Sequence, residues 1–191
     1  PEEIPFEIPE SWEWARLENL VSILGDGIHG TPKYANDGEY FFINGSNLSN
    51  GKIIIQNNTK KVSLEEFEKY QKPLSKASTV LVSINGTIGN IGFYNNEKVV
   101  LGKSACFFNL IKLNKFYIKN ILDSPYFIKY ALNNATGSTI KNVSLRTMRE
   151  FPVPIAPINE QIQISKKLDQ LMEFCDQLET KIKQRTQISG E

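Results

Sequence analysis

Histidine and cysteine are nearly absent from this chain. His29 is the only histidine, and Cys106 and Cys175 are the only cysteines among 191 residues. A zinc site of the usual four nitrogen and sulfur ligands fails on ligand count. A single His in a glycine-rich loop, with no Ser or Cys nucleophile beside it in sequence, gives no support for a hydrolase triad. The two cysteines lie far apart in apolar surroundings, so both are expected to be buried free thiols of a reducing compartment. Net charge is also missing: Lys and Arg number 22 and Asp and Glu 21. Composition alone therefore neither demands nor forbids a polyanionic partner, because phosphate contacts depend on local clustering. The basic residues do cluster. Between Lys98 and Arg149 the only acid is Asp123.

No apolar run is long enough to span a bilayer, and there is no signal-peptide pattern. A cytoplasmic location is expected, and the Asn-x-Ser/Thr triplets at Asn85 and Asn142 are expected to be unglycosylated. The chain starts without Met, on PEEIPFEIPESW, which suggests a fragment or a processed chain. Catalytic motifs are absent too. NGTIGNIG lacks the Lys-Ser/Thr ending of a phosphate-binding loop, and no long helix follows it. A methyltransferase would need a glycine-rich cofactor loop and an Asn-Pro-Pro-aromatic loop, and neither occurs. A metal-dependent nuclease would need an acidic pair and a Lys, and Glu97-Lys98 has no acidic companion. No cofactor is expected.

What is present is enough apolar material for a core: 40% hydrophobic residues, with eleven Phe and seven Tyr. The length fits one domain plus an appendage. The head reads as α+β: a twisted, mostly antiparallel sheet with short helices. TVLVSI at 79–84 is the clearest buried strand. It enters the tight loop NGTIG and re-emerges at 90–94, where Asn95-Asn96 predicts a hairpin turn. Further strands are expected at Tyr40–Ile43, 52–56, Val99–Leu101 and 105–113, with a strand or short helix at 16–24. Ser63 followed by Glu66 has capping-box spacing and predicts a helix over 64–71. Helices are also expected at 118–122, after the Ser124-Pro125 start signal, and at Leu145–Glu150 behind Ser144.

FPVPIAP, a proline-punctuated strand, runs into a long charged segment with a seven-residue apolar beat. Ile164, Leu168, Leu171, Cys175, Leu178 and Ile182 are spaced 4, 3, 4, 3, 4. That period calls for a partner helix and predicts a coiled-coil-forming rod. The seam could instead pack on its own head, and Arg185 breaks it where the next apolar residue is due. The expected division is residues 1–153 as head and 154–191 as helix.

Three loops carry Thr, Ser, Asn, Lys, His and Tyr on glycine-rich backbone: GIHGTPKY, NGTIG and GSTIKN. Such side chains can bond base edges and phosphates, and glycine lets the main chain approach closely. Ordinary solvated loops have the same composition.

Together these pieces resemble the specificity subunits of Type I restriction–modification systems. The resemblance is to half a subunit, one target-recognition domain and one helical spacer. It is carried by IPESWEWARLENL, DGIHGTPKY, VLVSINGTIGNIGFY and GSTIKNVSLRTMREFPVPIAPINEQIQISKKLDQL. It implies a non-catalytic subunit that reads one half of a bipartite DNA target. The implied partners are double-stranded DNA, adenine-methylating modification subunits and an ATP-using restriction subunit. Spacer helices of the two halves are implied to pack antiparallel. A helix of about 28–30 residues would be about 42–45 Å long, more than one turn of DNA at about 34–36 Å.

The resemblance points to His29, Thr31, Lys33, Tyr34, Asn85, Thr87, Ser138, Thr139, Lys141 and Asn142 as DNA-binding residues. His29, Tyr34, Asn85 and Asn142 are the candidates for base edges, and Arg146 and Arg149 for the DNA backbone or the modification subunit. The family carries two recognition domains and two spacers, whereas this sequence has one of each: it is either a cut fragment or a naturally short subunit, and if it stands alone a homodimer reading a symmetric split site is expected. The competing readings are a coiled-coil scaffold without DNA readout and a stand-alone nuclease.

Overall fold

The computed structural model describes residues 5–189, with side chains to residue 185. The first four residues of the expected lead-in and the last two of the expected helix lie outside the described residues. The chain is α+β, with antiparallel pairing dominant, short helices in the head and a long helix at its C-terminal side.

The central sheet has the order β2-β10-β7-β8, all antiparallel. β2 is Val21–Gly25, β7 Thr79–Ser83, β8 Ile91–Phe93 and β10 Ala105–Leu110. β7 is buried at every residue because both faces of the sheet are covered. Its side chains alternate between faces, as strand geometry requires. Val80 and Val82, with Cys106, Phe108 and Leu110 of β10, face the main core. Three helices close that core: α2 (Lys115–Asp123), α3 (Pro125–Asn133) and α4 (Leu145–Glu150). Phe151 is fully buried there, with the rings of Tyr126, Phe127 and Tyr130 at 5.0–5.3 Å. Leu81 and Phe107 face the other way, into a smaller core with Ile43, Leu48, Val99 and Leu101.

That smaller core belongs to a second sheet of order β6-β3-β9. β3 is Tyr40–Ile43, β6 Lys61–Val62 and β9 Val99–Leu101, and β3 runs parallel to β9. The Asn95-Asn96 turn, with Asn96 at φ 67°, therefore makes no hairpin. It hands the chain from β8 in one sheet to β9 in the other, which the local turn signal could not distinguish. β4 (Leu48–Ser49) and β5 (Lys52–Ile53) form a two-residue ribbon, so the 52–56 strand is shorter than expected. α1 (Leu64–Tyr70) starts at Ser63, whose hydroxyl accepts from the Glu66 N–H. β1 (Glu13–Arg16) pairs with β11 (Pro152–Ile155), and a 3-10 turn at Leu17–Leu20 joins β1 to β2. The 16–24 segment thus holds both a turn and a strand. Ser124 does not cap α3 with its side chain. Its hydroxyl donates to the Ile121 carbonyl (2.6 Å) and closes α2 instead.

α5 spans Ile158–Ser189, 32 residues and about 48 Å. Only its first turns touch the head. Gln161 is buried; its Oε1 accepts from the Asn114 N–H (3.0 Å) and its Nε2 donates to the Ala156 carbonyl (2.8 Å). Ser165 is buried one turn on, Ile164 packs partly against the main core, and Trp12 Nε1 donates to Glu160 (2.8 Å). Residues 166–185 are all exposed. Leu168, Leu171, Leu178 and Ile182 are 38–63% exposed. Cys106 is buried as expected, but Cys175 is exposed, because it lies on the part of the helix that the head does not reach. Burial pushes the Cys106 thiol far up, so it is no nucleophile.

Candidate nucleic-acid interface

Strand directions gather five loops at one end of the head. β2 and β7 flank β10 and run opposite to it, so their C-terminal ends lie beside its N-terminal end. β3 and β9 run into the same end, where the Gly102 N–H donates to the Ile43 carbonyl (2.8 Å) and the chain turns at 102–104 into β10. The segments 26–33, 44–47, 84–90, 102–104 and 137–142 all meet there. The helix root lies beyond the other end of β10, past Leu110, at Asn114.

The structure brings two of the three expected loops into direct contact. Asn85 Nδ2 donates to Asn142 Oδ1 (3.0 Å), the Gly86 N–H to the Lys141 carbonyl (3.0 Å), and the Val143 N–H to the Ile84 carbonyl (2.8 Å). Thr136 and Asn142 exchange both backbone bonds at 2.9 Å, closing the 137–142 loop into a small projection. Gly86 sits at φ +74° with open space around it, a conformation an L side chain rarely adopts. Thr87, Ser138, Thr139 and Lys141 are exposed on this double loop, as is Ile140 at 61%. The Asn85–Asn142 bond leaves one amide end of each residue free to face a ligand.

The first loop joins the same end by a different route. Ile28 bridges to Gly102, and a Cβ on Gly27 would lie 1.9 Å from the Leu101 carbonyl oxygen. That close approach is why only glycine fits there. His29 is exposed and its Nε2 lies 2.7 Å from Asp26 Oδ2. Thr31 and Lys33 are exposed further along. Among the described residues no hydrogen bond links this loop to the Asn85–Asn142 pair. Lys33 is held through its backbone N–H, which donates to the buried Glu66 carboxylate (2.9 Å). Tyr34 lies apart from the Asn85–Asn142 pair; it bridges to Val62 at the edge of the second sheet and its ring lies 6.1 Å from Phe42.

The two arginines are more constrained than expected. Arg146 is paired with Glu150 (2.8 Å), and Arg149 donates to the Leu24 carbonyl (3.4 Å) from a half-buried position. Lys103 and Asn44 were not singled out by the sequence. Lys103 is exposed in the 102–104 turn, and Asn44 Oδ1 accepts from Ser104 Oγ (3.0 Å) beside it. The available signal was a Gly-Lys-Ser interruption between two apolar strands, Val99–Leu101 and Ala105–Leu110. Two acids in contact with the first loop are engaged, Asp26 by His29 and Glu66 by the Lys33 backbone N–H. No cluster of three metal-ligating side chains occurs among the described residues.

The family described as "Type I restriction modification DNA specificity domain" matches residues 9–187. The chain belongs to that family. The specificity subunit of the Type I restriction enzyme EcoAI from Escherichia coli is 25% identical over 203 residues, covering 95% of this chain and 32% of that protein. The EcoBI specificity subunit, also from Escherichia coli, is 22% identical, covering 92% of this chain and 38% of that one. The chain thus spans about a third of the length of these relatives. Two solved structures share the fold. The S subunit of a Type I restriction–modification system from M. genitalium superposes with a TM-score of 0.58 at 19% identity, over 92% of this chain and 43% of that one. The HsdS subunit from Thermoanaerobacter tengcongensis gives 0.65 at 17% identity, over 94% and 41%. Both curated relatives are named specificity subunits of Type I restriction enzymes.

Proposed function

We propose that this chain reads one half of a bipartite DNA target for a Type I restriction–modification complex, working in the cytoplasm without catalysis of its own. Residues 1–153 would carry recognition and residues 154–191 spacing and pairing. The observation that carries this reading is the placement of the polar loops and the helix root at opposite ends of β10. Duplex DNA can meet the loops without touching the rod. Asn85 and Asn142 offer amide ends suited to an adenine edge. His29 reads a neighbouring base, and Thr31, Thr87, Ser138, Thr139, Lys33 and Lys141 hold phosphates. Modification subunits dock on the head and rod, and a restriction subunit joins them.

The rod pairs with a second half-subunit, in the simplest case a second copy. An antiparallel arrangement uses all six seam residues: Ile164 level with Ile182, Leu168 with Leu178, Leu171 with Cys175. Met172 and Phe174, 63% and 57% exposed, would each meet their own copies beside the two-fold axis. The cost is Lys167 close to Lys181, a like-charge pair that salt screens. In this register Gln161 lies level with Arg185 of the second copy, about 24 residues away, which separates the two helix roots by about 36 Å. That is close to one DNA turn of about 34–36 Å.

Co-expression with a cognate modification subunit, followed by mapping of methylated adenines, tests the reading. A new split motif is expected, and variants at Asn85 and Asn142 should relax bases within one half. Absence of any new methylated motif would favour the scaffold reading. Among its described residues the chain has no helix long and apolar enough to cross a membrane.

A further inference from the structure

A second polar cleft opens beside the loop end, on the second sheet. It has a volume of about 350 Å³ and lies between Tyr34 and Phe42 on one wall and the 56–60 turn on the other. Its chemistry is one-sided. Tyr34, Gln56, Asn58, Thr59 and Lys60 supply a phenol, two amides, a hydroxyl and an ammonium, and no carboxylate lines it. Other clefts differ. The one beside Tyr40 contains Asp37 and Glu39, and the two along α5 contain Glu173 with Asp169 or Asp176.

The turn that forms the outer wall is fixed by its own backbone. The Gln56 N–H donates to Thr59 Oγ1 (2.8 Å) and the Thr59 N–H to the Gln56 carbonyl (3.0 Å). Thr59 therefore accepts with its oxygen and keeps its proton for a ligand. Lys60 Nζ lies 5.9 Å from the centre of the Tyr34 ring. The inner wall is Asn44, which connects directly to the loop end. Asn44 Oδ1 accepts from Ser104 Oγ, the Ser104 carbonyl accepts from the Ile84 N–H (3.0 Å), and Ile84 precedes Asn85. The cleft and the Asn85–Asn142 pair are thus tied together through Ser104 and the end of β7.

We infer that this cleft holds the sugar–phosphate backbone of one DNA strand beside the bases read by the loops, with Lys60, Thr59 and Asn58 donating to phosphate oxygens. The inference rests on the DNA-reading function proposed above. It reassigns Tyr34 from a base edge to the wall of a backbone cradle. A phosphate fits because its oxygens only accept, and this cleft presents donors without a competing anion.

The test is the binding of mixed-sequence and methylation-selected duplexes by the chain with its modification subunit, between about 50 and 200 mM salt. Lys60→Ala should lower affinity about tenfold for both duplexes alike, as loss of a charge-assisted hydrogen bond does. It should also reduce the slope of log K against log salt by about 0.9, the value for one phosphate contact. Asn58→Ala should lower affinity equally for both duplexes. Asn85→Ala should change the ratio between the duplexes instead. Lys183→Ala, on the exposed helix far from the cleft, should change neither quantity. Wild-type affinity and slope for Lys60→Ala, with thermal unfolding unchanged, would overturn the cradle and leave DNA reading intact. A Lys60→Ala effect confined to one duplex would overturn it in favour of base contact. Absence of salt-dependent binding by the unaltered complex would overturn the underlying function as well.

Discussion

Glu66 is buried to 5% exposure on a short helix, yet its work lies 33 residues away, where its carboxylate accepts the Lys33 N–H. The Ser63–Glu66 spacing shows the helix start but not this long-range use of the carboxylate. Replacing Glu66 with Ala leaves a part-buried N–H unpaired, at a cost of about 1–3 kcal/mol. The expected result is a lower Tm in thermal unfolding together with faster amide exchange at Lys33. Gly27→Ala should disturb the same loop more severely, since its methyl would collide with the backbone of β9. A second residue-scale expectation concerns alkaline pH. Burial pushes the Tyr117 hydroxyl, which donates to the Pro154 carbonyl (2.8 Å), up to about 12. The folded state therefore holds this proton more tightly than the unfolded chain, whose tyrosines titrate near about 10. The stability linked to it is full below about pH 10 and is lost as pH rises toward about 12. Denaturant midpoints measured across that window should fall with pH. They should fall less steeply in Tyr117→Phe, even though that variant starts lower for lack of the hydrogen bond.

At the scale of elements, the long helix is anchored in its first turns, by the buried Gln161 amide among other contacts, and then leaves the head. Gln161→Ala removes both side-chain bonds of that amide and leaves the Asn114 N–H and the Ala156 carbonyl without their partner. The expected loss is about 1–3 kcal/mol per unpaired group, visible as a lowered Tm. The seam behaves differently. Leu171 and Leu178 are 48% and 43% exposed, so Leu171→Asp with Leu178→Asp should leave the folding of the head unchanged. Sedimentation at micromolar concentration should show a dimer for the unaltered chain and a monomer for the double variant. A monomer in both cases would count against pairing between copies. The long helix, the Ser63 and Ser144 caps and the TVLVSI strand were legible in the sequence, because they are local patterns. The handover at Asn95-Asn96 was not, because a turn does not record which sheet receives the next strand. Lys103, Asn44 and Lys60 were missed for a related reason. What sets them apart is where β3, β6 and β9 end, a property of strand order and not of any short segment. Tyr34 was grouped with His29 by proximity in sequence, whereas the loop travels from one sheet to the edge of the other between them.

For the whole molecule, the claim is a division of labour along β10, with base-reading loops past one end and a distance-setting helix past the other. Such a division makes spacing and specificity separable. Inserting one heptad into the middle of the exposed rod keeps the seam in phase. In an antiparallel pair it moves the heads apart by about 10.5 Å, since each residue adds about 1.5 Å. That corresponds to about three base pairs at about 3.4 Å each. The decisive measurement is a methylated-adenine map of cells expressing the modification subunit with either the original or the lengthened chain. The account predicts the same half-sites in both maps, separated by a gap about three base pairs longer in the second. An unchanged gap, or half-sites that change when only the rod is altered, would contradict it.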